Sequence, residues 1–215
     1  MKIDIVSDAI CPWCYIGKRR LEQALVQAPQ PDLETGWRPF QLNPEMPAEG
    51  MDRKDYLRAK FGDSAGGRNY DRITEVGREV GIPFAFDRIK RTPNTILAHR
   101  LIRYATREHH QDAVVETLFR GYFTEGEDIG NLETLARLAA SAGLDAGKVA
   151  AYLAGAEDDD TIRAEDAFAR QIGISGVPCF IIDRQYAISG AQPPEAFVEV
   201  FDLARKSGEA EADIV

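Results

Sequence analysis

The sequence predicts an α/β fold in which the two ends of the chain contribute strands to one sheet, with a large helical insertion between them. Three observations support this prediction. Residues 1–43 show strand, helix and strand patterns in turn, residues 45–160 are dominated by helical periodicity, and strand patterns return after Gly173. Because neither end has enough strands to bury a core alone, the strands of both ends are expected to pair in one sheet.

The N-terminal elements follow from the spacing of apolar residues. Residues 2–6 alternate between polar and apolar side chains, as in a strand with one buried face. Residues 15–28 place apolar side chains near the helical period, and Pro12 falls in the first turn, where its missing N–H removes no hydrogen bond. A second strand is expected around residues 33–42, which include Trp37. These elements form the first half of the predicted sheet domain.

The insertion is expected to consist of helices joined by short loops. Apolar residues with helical spacing predict helices over residues 53–61, 68–80, 93–108, 114–123, 132–142, 145–154 and 160–172. Asn131 and Asp145 are suitable N-caps for two of these helices. Gly173 is a suitable stop for the last helix of the series.

After this helical region the chain returns to strands. The segment Cys179-Phe180-Ile181-Ile182 is a continuous apolar run, which suits a buried central strand. Residues 186–189 are its expected hairpin partner, and a final amphipathic helix follows. This outline is a thioredoxin-like arrangement formed by residues 1–44 and 161–215, interrupted by a helical subdomain over residues 45–160.

Composition and charge restrict the class of protein. The 215 residues carry a formal net charge of −9, which disfavours a nucleic-acid surface because such surfaces need clustered Lys and Arg. No stretch approaches the ~20 apolar residues of a membrane span, and the sequence starts without a signal-peptide pattern. Three cysteines are too few for a disulfide framework. We therefore expect a cytoplasmic protein without a nucleic-acid or membrane partner.

The most informative motif is Cys11-Pro12-Trp13-Cys14, at the junction of the first strand and the first helix. Cys11 is expected at the helix N-terminus, where free N–H groups and the macrodipole favour a thiolate. Cys14, one turn further, can reach the same sulfur and form a disulfide with it. Cys11 is therefore the candidate nucleophile and Cys14 its partner. Pro12 and an exposed Trp13 are expected to contact the substrate.

Two other interpretations of the paired cysteines remain open. Tetrahedral zinc needs four ligands, and the remaining Cys179 and three histidines form no second C-x-x-C or H-x₃₋₅-H pair. Two inert core cysteines would leave the Pro-Trp pair between them unexplained. The acidic run Glu157-Asp158-Asp159-Asp160 is expected to be a solvated helix start rather than a metal site. We therefore expect no metal, and thiol chemistry is the preferred interpretation of the cysteine pair.

Other motifs lie far from the cysteine pair in the sequence. These motifs are Pro93-Asn94-Thr95-x-x-Ala98-His99-Arg100, Gly176-Val177-Pro178 and Ser189-Gly190-Ala191-Gln192. The segment Ser7–Lys18 around the cysteine pair belongs to the same set. In these motifs and their order, the chain resembles the FrnE-like branch of the DsbA family. That branch is related to 2-hydroxychromene-2-carboxylate isomerases and kappa-class glutathione transferases, and the resemblance covers nearly the whole chain.

The resemblance implies a thioredoxin fold with a helical insertion and a cis proline that faces the redox pair. Val177-Pro178 would then be cis and close to Cys11, leaving backbone groups free to pair with an extended substrate. Asn94 and His99 would border the active-site groove, where an imidazolium would stabilise the Cys11 thiolate. Relatives form dimers, so a homodimer is a further expectation.

Departures from the related subfamilies discriminate between their functions. The isomerases and kappa transferases resemble this chain but have a serine where it has Cys11, whereas both thiols are present here. The segment Ser189-Gly190-Ala191-Gln192 lacks the basic residue with which those relatives hold glutathione, which weakens a glutathione site without excluding it. We therefore expect no bound cofactor, with glutathione as an optional co-substrate.

Three hypotheses for the function follow. The first is a thiol–disulfide oxidoreductase that exchanges disulfides of peptides or small molecules through Cys11 and Cys14. The second is a glutathione-dependent isomerase or transferase acting on an aromatic or polyketide-like small molecule, with the insertion as a lid over an apolar pocket. The third is a chaperone or peptide-binding module that uses the groove beside Pro178.

Two further residues have expected positions. Asp8 is either an ordinary loop acid or, beneath the thiol pair, a group that relays a proton from Cys14 during exchange. Cys179 is expected to be a small buried residue that strand alternation directs away from Cys11. The whole mechanism requires the Cys11 sulfur to be accessible and close to Cys14.

Overall fold

A computed structural model of the chain describes residues 1–62 and 66–212 and shows the predicted mixed α/β fold class. The strands are β1 Lys2–Ser7, β2 Glu34–Pro39, β3 Met51–Asp52, β4 Arg91–Thr92, β5 Cys179–Ile182 and β6 Tyr186–Ser189. The helices are α1 Pro12–Gln27, α2 Arg53–Phe61, α3 Gly66–Glu79, α4 Ile96–Arg107, α5 Gln111–Arg120, α6 Leu132–Ser141, α7 Ala146–Ala154, α8 Asp159–Gln171 and α9 Pro194–Ala212. None of these helices has both the length and the apolar character needed to cross a membrane.

Strands from both ends of the chain form the main sheet. β1 pairs in parallel with β2 and antiparallel with β5, and β5 pairs antiparallel with β6, which gives the order β2-β1-β5-β6. Ile3 and Ile5 of β1 lie opposite Ile182 and Phe180 of β5, and all four side chains are buried. The predicted pairing of the two distant chain ends is confirmed, while the boundaries of the inserted subdomain stay a prediction.

The insertion contains a small second sheet that was not predicted. β3 pairs antiparallel with β4, with Met51 opposite Thr92 and Asp52 opposite Arg91. Strands of two residues are too short to show an alternating pattern, so periodicity gives no sign of them. This pairing holds the start of α2 against the loop that precedes α4.

The second strand ends earlier than predicted. It stops at Pro39 rather than continuing to Leu42. The Phe40 N–H still donates to the Ser7 carbonyl of β1 at 3.0 Å, but the two N–H groups that follow have carboxylate partners. The Gln41 N–H donates to Asp166 Oδ1 at 2.7 Å, and the Leu42 N–H donates to Asp8 Oδ2 at 2.7 Å. Both acids are buried, and they hold this segment beside the sheet without extending the ladder.

The acidic run at the start of α8 is solvated only in part: Glu157 and Asp160 are exposed as expected, whereas Asp158 is largely buried by ion pairs. Asp158 accepts hydrogen bonds from Arg103 at 3.0 Å and from Arg107 at 2.7 Å. Glu157 accepts another from Arg107 at 2.8 Å. Both arginines lie on α4, which packs against α8, and this tertiary contact could not be deduced from the local sequence.

Helix α1 approaches the sheet closely at Gly17. A Cβ atom at this position would lie 2.9 Å from Pro178 Cγ and 3.0 Å from Phe180 Cζ. Real Cβ atoms essentially never make a contact as short as the one to Pro178, so the absence of a side chain permits the approach. The first turn of α1, which carries Cys11 and Cys14, is thereby placed next to the segment that enters β5.

Candidate active site

The paired cysteines lie at the N-terminus of α1. Cys11 is the N-cap residue, and the Cys14 N–H donates to the Cys11 carbonyl at 3.0 Å within the first turn. Both cysteines are free thiols, and their side chains interact with one another. The local turn therefore places the two sulfur atoms side by side, which disulfide exchange requires.

Cys14 is the more deeply buried member of the pair. It is 1% exposed, and this burial raises the pKa of its thiol well above the ordinary value. The neighbouring Cys11 side chain raises the pKa further, while the Ser7 hydroxyl and the Asp8 backbone lower it in part. Cys14 is consequently a protonated thiol at neutral pH.

Cys11 lies beside the segment that precedes β5. Its thiol donates to the Val177 carbonyl oxygen, with a sulfur–oxygen distance of 3.5 Å. The Val177–Pro178 peptide bond is cis, as the family resemblance implies. The expected accessibility of the Cys11 sulfur is not met at the protein surface, because the residue is only 4% exposed. It does, however, line a cavity, and a small molecule can approach it from that side.

This cavity, which we call the Cys11 cavity, has a volume of about 500 Å³. Pro12, Trp13 and Val177, three of the residues predicted to contact substrate, line it together with Cys11. Trp13 is half-buried rather than exposed as predicted, because it packs against the main core, to which residues of the insertion also belong. The Cys11 cavity thus lies between the redox motif and the insertion.

The insertion contributes cationic and aromatic side chains to the Cys11 cavity that were not predicted. Arg53, Tyr56 and Lys60 of α2 line it, with Tyr70 and Arg72 of α3. The sequence of α2 offers no signal for this role, because its many charged residues are typical of a solvated helix. Only the tertiary packing of α2 shows which of these charges face the cysteine motif.

Asp8 and His99 form a buried pair at the base of the cysteine turn. The Asp8 carbonyl accepts the Cys11 N–H at 3.0 Å, and the Asp8 side chain is fully buried. His99 Nε2 lies 3.5 Å from Asp8 Oδ1, and neither atom has a hydrogen-bond partner within the described part of the chain. Asp8 is therefore a buried acid of the cysteine turn rather than an ordinary loop acid.

Asn94 and His99 do not line the Cys11 cavity, in contrast to the expectation that they border the groove. The Asn94 amide donates to the Met46 carbonyl at 2.7 Å, and its Oδ1 accepts the Ile96 N–H at 3.0 Å. Asn94 therefore ties the loop before α2 to the start of α4. His99 faces Asp8 instead, because α4 directs it toward the β1–α1 junction.

Cys179 lies in a different part of the core. It packs with Val6, Phe40 and Ala169, whereas Cys11 and Cys14 belong to the main cluster. Burial raises the pKa of the Cys179 thiol. Its expected burial away from the redox pair is confirmed. Across residues 1–62 and 66–212, no group of three or more His, Cys, Asp or Glu side chains is arranged to hold a metal ion.

Comparison with known proteins identifies similar chains. Residues 2–202 match the family model described as a DSBA-like thioredoxin domain. The uncharacterized protein YwbO of Bacillus subtilis (strain 168) is 26% identical over 210 residues, which span 95% of this chain and 97% of YwbO. The crystal structure of a probable DsbA oxidoreductase, SCO1869 from Streptomyces coelicolor, is 34% identical with a TM-score of 0.87, covering 96% of this chain and 90% of that chain.

A more distant structure shares the fold. The cytosolic disulfide reductase DsbM from Pseudomonas aeruginosa, solved with GSH, is 17% identical to this chain with a TM-score of 0.64. The match covers 99% of this chain and 100% of that chain. At this level of identity the similarity demonstrates a common architecture, which agrees with the predicted thioredoxin-like fold.

Proposed function

The chain belongs to the family of DSBA-like thioredoxin domains, and from this premise we propose that it is a thiol–disulfide oxidoreductase using Cys11 and Cys14. One observation carries the proposal. Two free thiols lie side by side at the N-terminus of α1, one lining a cavity and the other almost completely buried. This asymmetry is what a nucleophile and its resolving partner require.

The exchange proceeds in two balanced steps. In the reducing direction, the Cys11 thiolate attacks a substrate disulfide, forming a mixed disulfide and releasing one substrate thiolate. Cys14 then loses its proton and attacks the Cys11 sulfur, which forms the Cys11–Cys14 disulfide and releases the second substrate thiolate. Two electrons pass from the cysteine pair to the substrate. The oxidising direction is the reverse sequence.

The surroundings of the pair support separate roles for the two thiols. Burial keeps Cys14 protonated, so that it does not compete with Cys11 for substrate in the first step. The second step needs a base for the Cys14 proton. Asp8 is the candidate, because it is a buried acid of the same turn and its Oδ1 has no hydrogen-bond donor among the described residues.

The expected substrates are thiols and disulfides that enter the Cys11 cavity, without a resident cofactor. Glutathione is a candidate co-substrate, and the structure of DsbM with GSH supports testing it. We place the reaction in the cytoplasm, as the name of the cytosolic DsbM suggests, and cell fractionation would test this location. A homodimer remains a prediction that sedimentation would test.

Single serine variants test the exchange mechanism. Reduced protein is mixed with 2-hydroxyethyl disulfide, and intact mass is followed with time. Wild type is expected to become the internal disulfide, Cys14→Ser to stop at a mixed disulfide, and Cys11→Ser to remain unmodified at position 14. Cys179→Ser serves as the control and should react as wild type does, because Cys179 packs in a separate cluster.

The same variants separate the competing hypotheses. An isomerase or transferase that uses glutathione would retain full turnover in Cys14→Ser. A peptide-binding module would retain peptide affinity when both thiols are replaced by serine. Absence of a mixed disulfide in Cys14→Ser, with the variant folded, would contradict the proposed exchange.

A further inference from the structure

A buried guanidinium, which has no acidic partner among the described residues, lies on the insertion side of the Cys11 cavity. Arg53 is 9% exposed, and its side-chain hydrogen bonds go to the neutral hydroxyls of Thr92 at 3.0 Å and Tyr70 at 2.5 Å. Among the side chains that the structure describes, no carboxylate lies within 4.0 Å of its nitrogen atoms. Buried charges in proteins are normally paired, so this arrangement favours the binding of an anion beside Arg53.

Two more cations face the same space. Lys60 and Arg72 line the Cys11 cavity, and its described lining contains no Asp or Glu side chain. The Lys60 ammonium donates to the Tyr56 hydroxyl at 2.7 Å and has no carboxylate partner in the described part of the chain. The local charge is therefore opposite in sign to the net charge of −9. A cavity lined by one sign of charge concentrates ligands of the other sign.

The size and shape of the cavity favour a small ligand. Its volume of about 500 Å³ falls within the range of small-molecule sites, and aromatic side chains such as Trp13 and Tyr56 form apolar walls. Cys11 is 4% exposed, so its sulfur is presented to the cavity rather than to the protein surface. A compact substrate fits these conditions better than an extended polypeptide.

We propose that the Cys11 cavity selects low-molecular-mass disulfides and thiols that carry an anionic group, whose charge is met by Arg53 and Lys60. This inference rests on the proposed function, because the sulfur of the ligand must react with Cys11. The first step then forms a Cys11–ligand disulfide and expels an anionic thiolate. The second step forms the Cys11–Cys14 disulfide and expels the other anionic thiolate.

A matched series of three small disulfides tests the proposal. Dithiodiglycolate is anionic, 2-hydroxyethyl disulfide is neutral, and cystamine is cationic. For each disulfide, the rate at which it oxidises the reduced protein is divided by the rate at which the same disulfide reacts with free 2-mercaptoethanol. This normalised rate is independent of the intrinsic reactivity of the disulfide. We expect the normalised rate to be about tenfold or more higher for the anionic than for the cationic disulfide, as for a steered charged ligand. High salt should reduce this difference.

Variants on α2 assign the effect to particular side chains. Lys60→Gln removes an exposed side chain and should lower the anionic-to-neutral rate ratio by about threefold or more, and Arg53→Gln should lower it further. Arg53→Lys retains the charge and should preserve much of the ratio. Lys54→Gln is the control, because it removes the same charge from an exposed position of α2 that does not line the Cys11 cavity, and the ratio should stay unchanged.

The outcomes distinguish this inference from the proposed function. Equal normalised rates for the three disulfides in wild type would overturn the charge selection and leave the exchange mechanism standing. Failure of wild type to react with any of them would overturn the exchange mechanism itself. A ratio that falls as much in Lys54→Gln as in Lys60→Gln would show that net charge, and not the Cys11 cavity, controls the rate.

Discussion

At the scale of single residues, the thiols of Cys11 and Cys14 differ although they share one turn. Cys14 is enclosed by Ser7, Asp8 and the main core, whereas Cys11 lines the Cys11 cavity. Burial raises the pKa of Cys14 and holds its proton, so a reagent that needs a thiolate has little access to it. The difference in reactivity between the two thiols therefore comes from the residues around each sulfur and not from the C-x-x-C spacing.

Alkylation of the native reduced protein should show this difference. With limiting iodoacetamide at pH 7, we expect Cys11 to be modified about tenfold or more faster than Cys14, since the thiolate is the reactive form. Because the pKa of Cys14 is raised, its labelling should increase only at pH above the range of ordinary cysteines. Peptide mapping by mass spectrometry measures both rates. In urea the two rates should become similar, and equal rates in native protein would contradict the assignment.

The residue-level predictions succeeded where the signal is local. The cysteine pair, the helix start after Cys11 and the Asn131 and Asp145 caps follow from short-range patterns, and the structure shows all of them. Arg53 was missed because its significance depends on its contacts with Thr92 and Tyr70 and on the lack of a carboxylate partner among the residues that the structure describes. These contacts join segments far apart in the chain, and no local pattern encodes them.

At the scale of elements, helices were predictable and the ends of strands were not. Amphipathic helices repeat their pattern over several turns, so α4, α6 and α8 were located to within a few residues. Just beyond the end of β2, the side-chain carboxylates of Asp166 and Asp8 accept the N–H groups of Gln41 and Leu42, which is a tertiary effect. The close approach of α1 to the segment entering β5 likewise could not be predicted from the sequence, because only the structure shows that Gly17 lies against Pro178.

Gly17→Ala should therefore destabilise the protein, although Gly→Ala in a helix normally stabilises it by ~0.5–1 kcal/mol. The added Cβ would overlap Pro178 and Phe180, and we expect a loss of about 1–3 kcal/mol in the free energy of unfolding, typical of overpacking. Urea unfolding measures the change. Gly176→Ala is the control, because a Cβ there meets no atom within 4 Å. Unchanged stability of Gly17→Ala would refute the proposed role of Gly17.

At the scale of the whole molecule, a charged cluster joins α1 to α5 of the insertion. Lys18 is 4% exposed and lies 3.1 Å from Asp112 and 3.3 Å from Glu116. Burial tends to raise the pKa of Glu116, but hydrogen bonds from Arg19 and Tyr15 together with the charge of Lys18 lower it below its ordinary value. The folded state therefore favours the ionised form of Glu116.

This shift predicts an acid-dependent loss of stability. Since the pKa of Glu116 is lower in the folded than in the unfolded chain, its contribution is present above the unfolded value of about 4.3 and is lost as pH falls through the folded value. Glu116→Gln should make the unfolding free energy less dependent on pH below about 4.5. Glu133→Gln, at an exposed site, should leave that dependence unchanged. Identical pH curves for wild type and Glu116→Gln would rule out this contribution.

The sheet order β2-β1-β5-β6 also determines how late in synthesis the main sheet can be completed. A ribosome synthesises β1 and the cysteine motif well before β5, the antiparallel neighbour of β1, which is complete only at Ile182. Throughout most of synthesis the nascent chain therefore carries both thiols before Val177 can join them and before the cavity can close around Cys11. A product truncated ahead of β5 would retain the cysteine motif but lack the complete Cys11 cavity, and with it the proposed selection of substrates.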